Sequence, residues 1–426
     1  MLKFHKKFEG LLMSDRVLIV ENDKTLAELI AQKLQTELEI ETDIAYNFSE
    51  AKLFLKAYDY FLTLVDSNLP DAPNGEVIDY ALSKEKKVIV LSGSTSREFK
   101  KEIIQKKIID YISKNDNNDV SYIIHKVMRL QKNRNNTILV VDDSMVYRKQ
   151  LQNMLENLFY KVITVAHGEE ALGILEVKPE ISLVVTDYNM PVMDGLELTS
   201  EIRKKYDKTD LAIIALSSNE NEDINALFLK EGANDYIRKP FSKEEFSCRI
   251  DNTIEAIENI QIVMNHANRD FLTGLYNRRF FYQYMFEYEK EAKELGEHFS
   301  IAMIGIDKLD GIKVKYGTDI AQKVTIHISN ILTSTTSYQD LVSIFSDETF
   351  CIILKNTNQE TSLSIAQRLQ SEVQKAVLLD NNREPINLSI SIAVVYHQED
   401  SIEDSLDNAD MLLYKSKEQG INQLVY

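Results

Sequence analysis

Ile138-Leu-Val-Val-Asp142-Asp143, then Val184-Val-Thr-Asp187-Tyr-Asn-Met-Pro191, then Ala212-Ile-Ile-Ala-Leu-Ser217, then Asp235-Tyr236-Ile-Arg-Lys239-Pro240 decide how this chain folds: four apolar runs, each closed by an acid, a hydroxyl or a lysine. The same order occurs once before, as Val17-Leu-Ile-Val-Glu21-Asn22-Asp23, Leu64-Val-Asp66-Ser-Asn-Leu-Pro70, Val88-Ile-Val-Leu-Ser92 and Asp110-Tyr111-Ile-Ser-Lys114. Asp187 follows Asp66 by 121 residues, as Asp142 follows Glu21, a period of domain size and far longer than a solenoid repeat. Apolar β-rich runs between amphipathic helical stretches describe a parallel sheet covered by helices on both faces, so the fold expected is α/β, two doubly wound sheets in tandem. Ligands of such sheets bind beyond the carboxyl ends of the strands, so the acids, hydroxyl and lysine of each copy share one pocket.

Several carboxylates at one edge repel one another unless a cation neutralises them, and all-oxygen ligands suit a hard ion such as Mg²⁺. A carboxylate beside that ion can act as a nucleophile toward a phosphoryl group, and a strand-end serine and lysine supply donors for the phosphate oxygens.

The pattern resembles the receiver domain of two-component response regulators, over 14–132 and again over 136–258, and so implies flavodoxin-like sheets. In the second copy the resemblance makes Asp187 the phosphoacceptor. Asp143, Asp187 and the main-chain oxygen of Asn189 hold Mg²⁺, with Asp142 assisting through water; Ser217 and Lys239 engage the phosphate, and Tyr236 is the aromatic that changes rotamer. In the first copy Asp66, Ser92, Tyr111 and Lys114 fall in the corresponding places, and the metal set becomes Glu21, Asn22, Asp66 and Asn68. Asn22 puts an amide where the family has a direct acid ligand, and Asn115 stands where proline follows the lysine, so weaker metal binding and slower phosphorylation are expected there. The other reading of this copy is a dimerisation adaptor. A sensor histidine kinase or phosphotransfer protein is the implied phosphodonor.

A chain of 426 residues with 44% hydrophobic content suits about three packed domains. Two scattered cysteines, Cys248 and Cys351, exclude a disulfide framework and fit a reducing, cytoplasmic compartment. No apolar run approaches the roughly 18 residues that span a bilayer. Met1 to Met13 lacks the apolar region of a signal peptide, and Met13-Ser-Asp-Arg-Val reads as an alternative start. A net charge of −18 argues against a DNA-binding surface.

From Phe246 through Ile250, Thr253, Ile257, Ile260, Met264 and Ala267, apolar positions recur at steps of four and three. One helix is expected over 243–267, the last of the second receiver continuing as a signalling helix that pairs in a homodimer.

The rest, 268–426, opens with Asp270-Phe-Leu-Thr-Gly-Leu-Tyr-Asn-Arg-Arg279 and closes with Ala409-Asp410-Met-Leu-Leu-Tyr414-Lys-Ser-Lys417-Glu-Gln-Gly420-Ile-Asn422 after a Leu388-Ser-Ile-Ser-Ile-Ala393 strand. This resembles GGDEF domains, the diguanylate cyclase family, and implies an α+β nucleotidyl cyclase-like fold. The family binds two metals and a GTP triphosphate through an aspartate at the end of its first strand and an acid in the signature turn. Here Gly305 stands at the aspartate's position, with Asp307 two residues on. Lys313 and Val314 replace the guanine readers, and the turn reads Ser346-Asp347-Glu348-Thr349-Phe350. Glu348 remains a possible ligand and Phe350 a core residue, but Asp347 brings an anion where phosphate should approach. At ~4 Å and an effective dielectric of ~20, one like-charge contact costs on the order of 4 kcal/mol. The product-inhibition motif is reduced to Ser337-Tyr-Gln-Asp340, while Lys417 and Asn422 remain near the end of the chain. Three readings of this domain stay open: a noncatalytic module with a downstream protein partner, favoured by Gly305, Lys313 and Asp347; an active cyclase making cyclic di-GMP from two GTP; and a sensor of GTP or cyclic dinucleotide.

Overall fold

The computed structural model describes residues 15–93, 97–114, 119–218, 222–380, 383–397 and 401–426, so Met13 and Asn115 lie outside the described residues. In the first copy β1 (Arg16–Val20), α1 (Lys24–Leu38), β2 (Glu41–Ala45), α2 (Phe48–Ala57), β3 (Leu62–Asp66), α3 (Glu76–Ser83), β4 (Val88–Ser92), α4 (Arg97–Gln105), β5 (Asp110–Ser113) and α5 (Asp119–Asn133) alternate strictly. The second repeats the order with β6 (Thr137–Val141), α6 (Met145–Asn157), β7 (Lys161–Val165), α7 (Gly168–Val177), β8 (Ile181–Asp187), α8 (Gly195–Arg203), β9 (Ala212–Ser217), α9 (Glu222–Glu231), β10 (Asp235–Arg238) and α10 (Lys243–Asn268). Both sheets are all-parallel, ordered β2-β1-β3-β4-β5 and β7-β6-β8-β9-β10. Strands β3, β4, β6 and β9 are buried at every residue, the burden of a sheet with helices on both faces and the reason their sequences are unbroken apolar runs. Polar residues that follow β1 and β6 also help the chain enter its helices. Asp23 caps α1 by accepting from the Thr25 and Leu26 amides, and Ser144 caps α6.

The two copies share a core. One apolar cluster contains Ile19 and Leu64 of the first sheet, Ile124, Val127 and Leu130 of α5, Val140 of the second sheet, Leu155 of α6, and Phe246, Ile250, Ile254 and Ile257 of α10. Residues through Ile260 accordingly form one unit. The expected seam of α10 is thus half spent in this core, with Ile254 in the place read for Thr253, while Ile260, Val263 and Met264 are exposed.

Polar groups run beside that cluster. Lys126 of α5 lies 3.0 Å from Asp251 of α10 and 3.6 Å from Asp110 of β5. Burial opposes its charge, but the two carboxylates outweigh burial and raise its pKa. Tyr160 donates to the same Asp251 (2.8 Å), and burial together with that anion pushes its hydroxyl well up. Arg129 donates to both oxygens of Glu258, at 2.7 and 3.2 Å.

The second unit, Gln261–Tyr426, is built on a six-stranded mixed sheet ordered β11-β13-β14-β12-β17-β18. Its elements are β11 (Tyr276–Asn277), α11 (Arg278–Leu295), β12 (Phe299–Ile306), α12 (Leu309–Tyr316), α13 (Thr318–Thr335), β13 (Leu341–Ser346), β14 (Thr349–Lys355), α14 (Gln359–Lys375), the β15 (Leu378–Leu379) and β16 (Pro385–Ile386) pair, β17 (Ile390–Tyr396), α15 (Ile402–Gln419) and β18 (Leu424–Val425). Central β12 is buried at every residue, antiparallel to β14 on one side and β17 on the other.

Breaking the Arg129–Glu258 pair from one side strands a guanidinium that is only 4% exposed. Glu258→Met should cost about 3 kcal/mol in urea unfolding, and adding Arg129→Met should recover most of it. An unchanged unfolding midpoint for the single variant would show that the pair does not hold the receivers together.

Candidate functional site

At the carboxyl edge of the second sheet the expected residues converge. Asp142 and Asp187, both nearly buried, face Lys239, whose ammonium is 3.0 Å from Asp142 Oδ2 and 2.7 Å from Asp187 Oδ1. The Asn189 amide donates to Asp187 Oδ2 (3.1 Å) and the Ser144 amide to Asp142 Oδ1 (2.9 Å). Ser217 is buried at the end of β9, Tyr236 is half-buried against an apolar cluster, and the Lys239–Pro240 peptide is cis. Asp143 and Asn189 are exposed at the rim. Close approach dictates one glycine: a Cβ on Gly195 would fall 2.2 Å from the Asp187 carbonyl oxygen.

Burial raises the Asp187 carboxyl above its ordinary value of 3.8, the Asp142 charge adds to this, and Lys239 opposes it. Burial works against the Lys239 charge too, but its bonds to Asp187 and Asp142 outweigh that and raise its pKa. One ammonium thus serves two carboxylates, with a third at the rim.

The first copy reproduces the arrangement with a different balance. Lys114 pairs with the fully buried Glu21 and lies 2.8 Å from Asp66 Oδ2; the Asn68 amide donates to Asp66 Oδ1 (3.0 Å). With its nitrogen turned inward, the Asn22 side chain donates to Asp66 Oδ2 (3.1 Å) and Glu21 Oε1 (3.3 Å). The amide therefore acts as a donor to the acids. Burial raises the Glu21 carboxyl despite Lys114. The Ser92 hydroxyl accepts from Ser67 (2.8 Å), and Tyr111 is half-buried with the Lys100 ammonium 5.4 Å from its ring.

Sequence reasoning missed two residues of the second pocket. The Tyr147 ring lies 4.3 Å from the Lys239 ammonium, and Arg148 donates to the carbonyls of Asp142 (2.6 Å) and Asp143 (3.0 Å). Both sit one turn into α6, where the first copy has Leu26 and Ala27, and that contrast between the copies was the available signal.

In the C-terminal unit the signature turn is the tight β13–β14 connection. Ser346 and Asp347 are exposed, so the Asp347 charge is screened by water and costs less than a buried contact would. The Asp347 carbonyl accepts from Thr325 (3.0 Å), the Ile306 amide donates to the Glu348 carbonyl (2.8 Å), and Phe350 is fully buried. Thr349 pairs with Ser346 across the turn. Lys313 and Val314 are exposed on α12, and Asp340 accepts from the Ser337 and Lys355 amides. Asp307, two residues beyond Gly305, is committed: it accepts from Ser389 (2.7 Å), Ser391 (2.8 Å) and the Asn422 amide (2.7 Å). Lys417 lies 3.2 Å from Glu348.

Among the described residues no three acids, histidines or cysteines are already gathered as a metal cage. The second receiver nonetheless fits a hard cation, since its converging carboxylates exceed its one lysine. The GGDEF-like corner fits one poorly: Gly305 offers no ligand, and both oxygens of Asp307 already accept hydrogen bonds.

The profile of the response regulator receiver domain matches residues 17–124 and 138–251, about half the chain. The chain belongs to the response regulator family. Residues 267–423 match the diguanylate cyclase GGDEF domain. The response regulator PleD of Caulobacter vibrioides is 26% identical over 298 residues, which are 68% of this chain and 65% of that relative's length. A CheY homolog, a chemotaxis protein of Campylobacter jejuni, is 35% identical over 120 residues, 28% of this chain and 91% of its own. A solved structure described as a probable two-component system response regulator/GGDEF domain protein matches 57% of this chain and 100% of its own, at 33% identity and a TM-score of 0.52. This response regulator thus carries tandem receivers and a C-terminal GGDEF domain, in the manner of PleD.

A raised folded-state carboxyl pKa means that folding favours the protonated form. The stability from Asp187 is therefore greatest at low pH and falls as pH rises from the ordinary 3.8 through the raised value. The melting temperature of Asp187→Asn should gain on wild type as pH rises above the ordinary carboxyl value of 3.8. A constant difference would show that Asp187 titrates normally.

Proposed function

We propose that the second receiver accepts a phosphoryl group on Asp187, the first accepts one more slowly on Asp66, and the GGDEF domain is a noncatalytic output module for a protein partner. The donor is a phosphohistidine of a sensor kinase or phosphotransfer protein. An Asp187 carboxylate oxygen bonds to phosphorus as the phosphorus–nitrogen bond breaks, and the departing imidazole keeps the electron pair and takes up a proton. Held by Asp142, Asp143, Asp187 and the Asn189 carbonyl, Mg²⁺ would supply the positive charge that gathers these anions. Lys239 is already 2.7 Å from Asp187 and needs only a small shift to pair with the phosphate, and Ser217 donates from the neighbouring strand end. Two such charge-assisted bonds, each worth roughly 1.5 to 3 kcal/mol, give about 3 to 6 kcal/mol, near the ~5.5 that carries a two-state switch from 1:99 to 99:1.

The ranking of the receivers rests on one contrast: Asp143 in the second, and in the first an Asn22 whose amide already satisfies Asp66. With acetyl phosphate and Mg²⁺, phosphate-affinity gels should show Asp66→Asn labelled nearly as fast as wild type and Asp187→Asn labelled at least several-fold more slowly. Equal labelling of the two variants would remove the ranking.

Homodimerisation is the proposed readout. Of the α10 seam, Ile257 is spent in the core, whereas Ile260 and Met264 remain exposed at 40% and 45%, with Val263 beside them at 67%. No helix of the described residues is long and apolar enough to cross a membrane, so these residues are not part of a span. A beryllofluoride phosphate mimic should raise the dimer fraction in light scattering, and Lys239→Ala or Val263→Asp should abolish the rise. An unchanged mass with the mimic bound would leave intramolecular rearrangement as the output. A cytoplasmic setting fits free cysteines at 248 and 351.

A further inference from the structure

The GGDEF corner has lost one metal ligand and committed another, and a lysine lies in the space that remains. A Cβ built on Gly305 would fall 2.3 Å from Lys417 Cε and 2.8 Å from its Nζ, so any side chain there would displace the lysine. The same ammonium lies 3.2 Å from Glu348 Oε1. Asp307, two residues beyond Gly305, is held through both oxygens by Ser389, Ser391 and the Asn422 amide. Glu348 is thus the acid of the turn whose carboxylate meets the lysine, and its counter-charge is already in place. The cavity here, about 330 Å³, is lined by Asp307, Lys308, Asp310, Glu348 and Lys417 among others.

We propose that Lys417 is a tethered cation standing where a divalent metal would sit at Glu348, that Gly305 makes room for it, and that the GGDEF pocket consequently recruits no divalent ion. This deepens the noncatalytic reading by naming its cause. Both side chains keep substantial solvent exposure, 30% for Lys417 and 43% for Glu348, so the pair adds little to stability. Its consequence is chemical. An ammonium carries one charge and donates hydrogen bonds, but it cannot bind a reacting oxygen as a Lewis acid. A competing divalent ion would have to evict a covalently attached group while gaining a single carboxylate.

Mn²⁺, followed by electron paramagnetic resonance with the full chain, tests the proposal. Wild type and Glu348→Gln should bind the same number of ions with affinities within about 2-fold. The double variant Gly305→Asp/Lys417→Met should gain one further site, at least about 10-fold tighter than any residual binding there. A wild-type site that disappears in Glu348→Gln would overturn the proposal, as would a double variant that melts cooperatively yet gains no site. If the double variant does not fold, the Glu348→Gln comparison decides alone. Mass spectrometry after incubation with GTP and Mn²⁺ separates the two ideas. Cyclic di-GMP above the Glu348→Gln level would sink the noncatalytic reading. A Glu348-dependent Mn²⁺ site without product would sink only the lysine's role.

Discussion

Buried carboxylates need donors within hydrogen-bond reach, and in this protein the donor is repeatedly one lysine shared between acids. Lys239 serves Asp142 and Asp187, Lys114 serves Glu21 and Asp66, and Lys126 serves Asp110 and Asp251. Desolvating an unpaired carboxylate costs several kcal/mol, so each lysine fixes where its strand ends and helices can lie. What differs is how far each acid set exceeds its cation. The second receiver keeps a third acid, Asp143, beyond what Lys239 can balance; the first has Asn22 in that place, and the GGDEF corner has Gly305. Appetite for a further cation should fall in that order.

The Lys126 pair has a different role, because its two acids belong to different receivers. Asp110 opens β5 of the first receiver, and Asp251 lies on α10 of the second. A movement of β5 would therefore be felt on α10 through a buried ammonium, alongside the shared apolar cluster. The first receiver is thus packed into the second one's immediate surroundings.

The fold was legible because parallel strands buried on both faces must be continuous apolar runs, and each run ends in a residue with a distinctive charge or hydroxyl. Asp66, Asp187, Lys114 and Lys239 could be placed from that alone. The helix from Lys243 to Asn268 was legible from its periodicity, but periodicity marks an apolar face without naming its partner. Ile254 and Ile257 turned out to face the shared receiver core.

By itself, then, the sequence determined the tandem receivers and the C-terminal GGDEF domain, since strand pattern and residue type suffice for each. Tertiary structure alone decided what surrounds Asn22 and Gly305. Only packing brings the Lys417 ammonium against Gly305, turns the Asn22 amide toward Asp66, lays Tyr147 over Lys239 and ties Asp307 to two serines. Such pairings join residues as distant in the chain as Gly305 and Lys417, and no local rule of spacing or propensity carries that information.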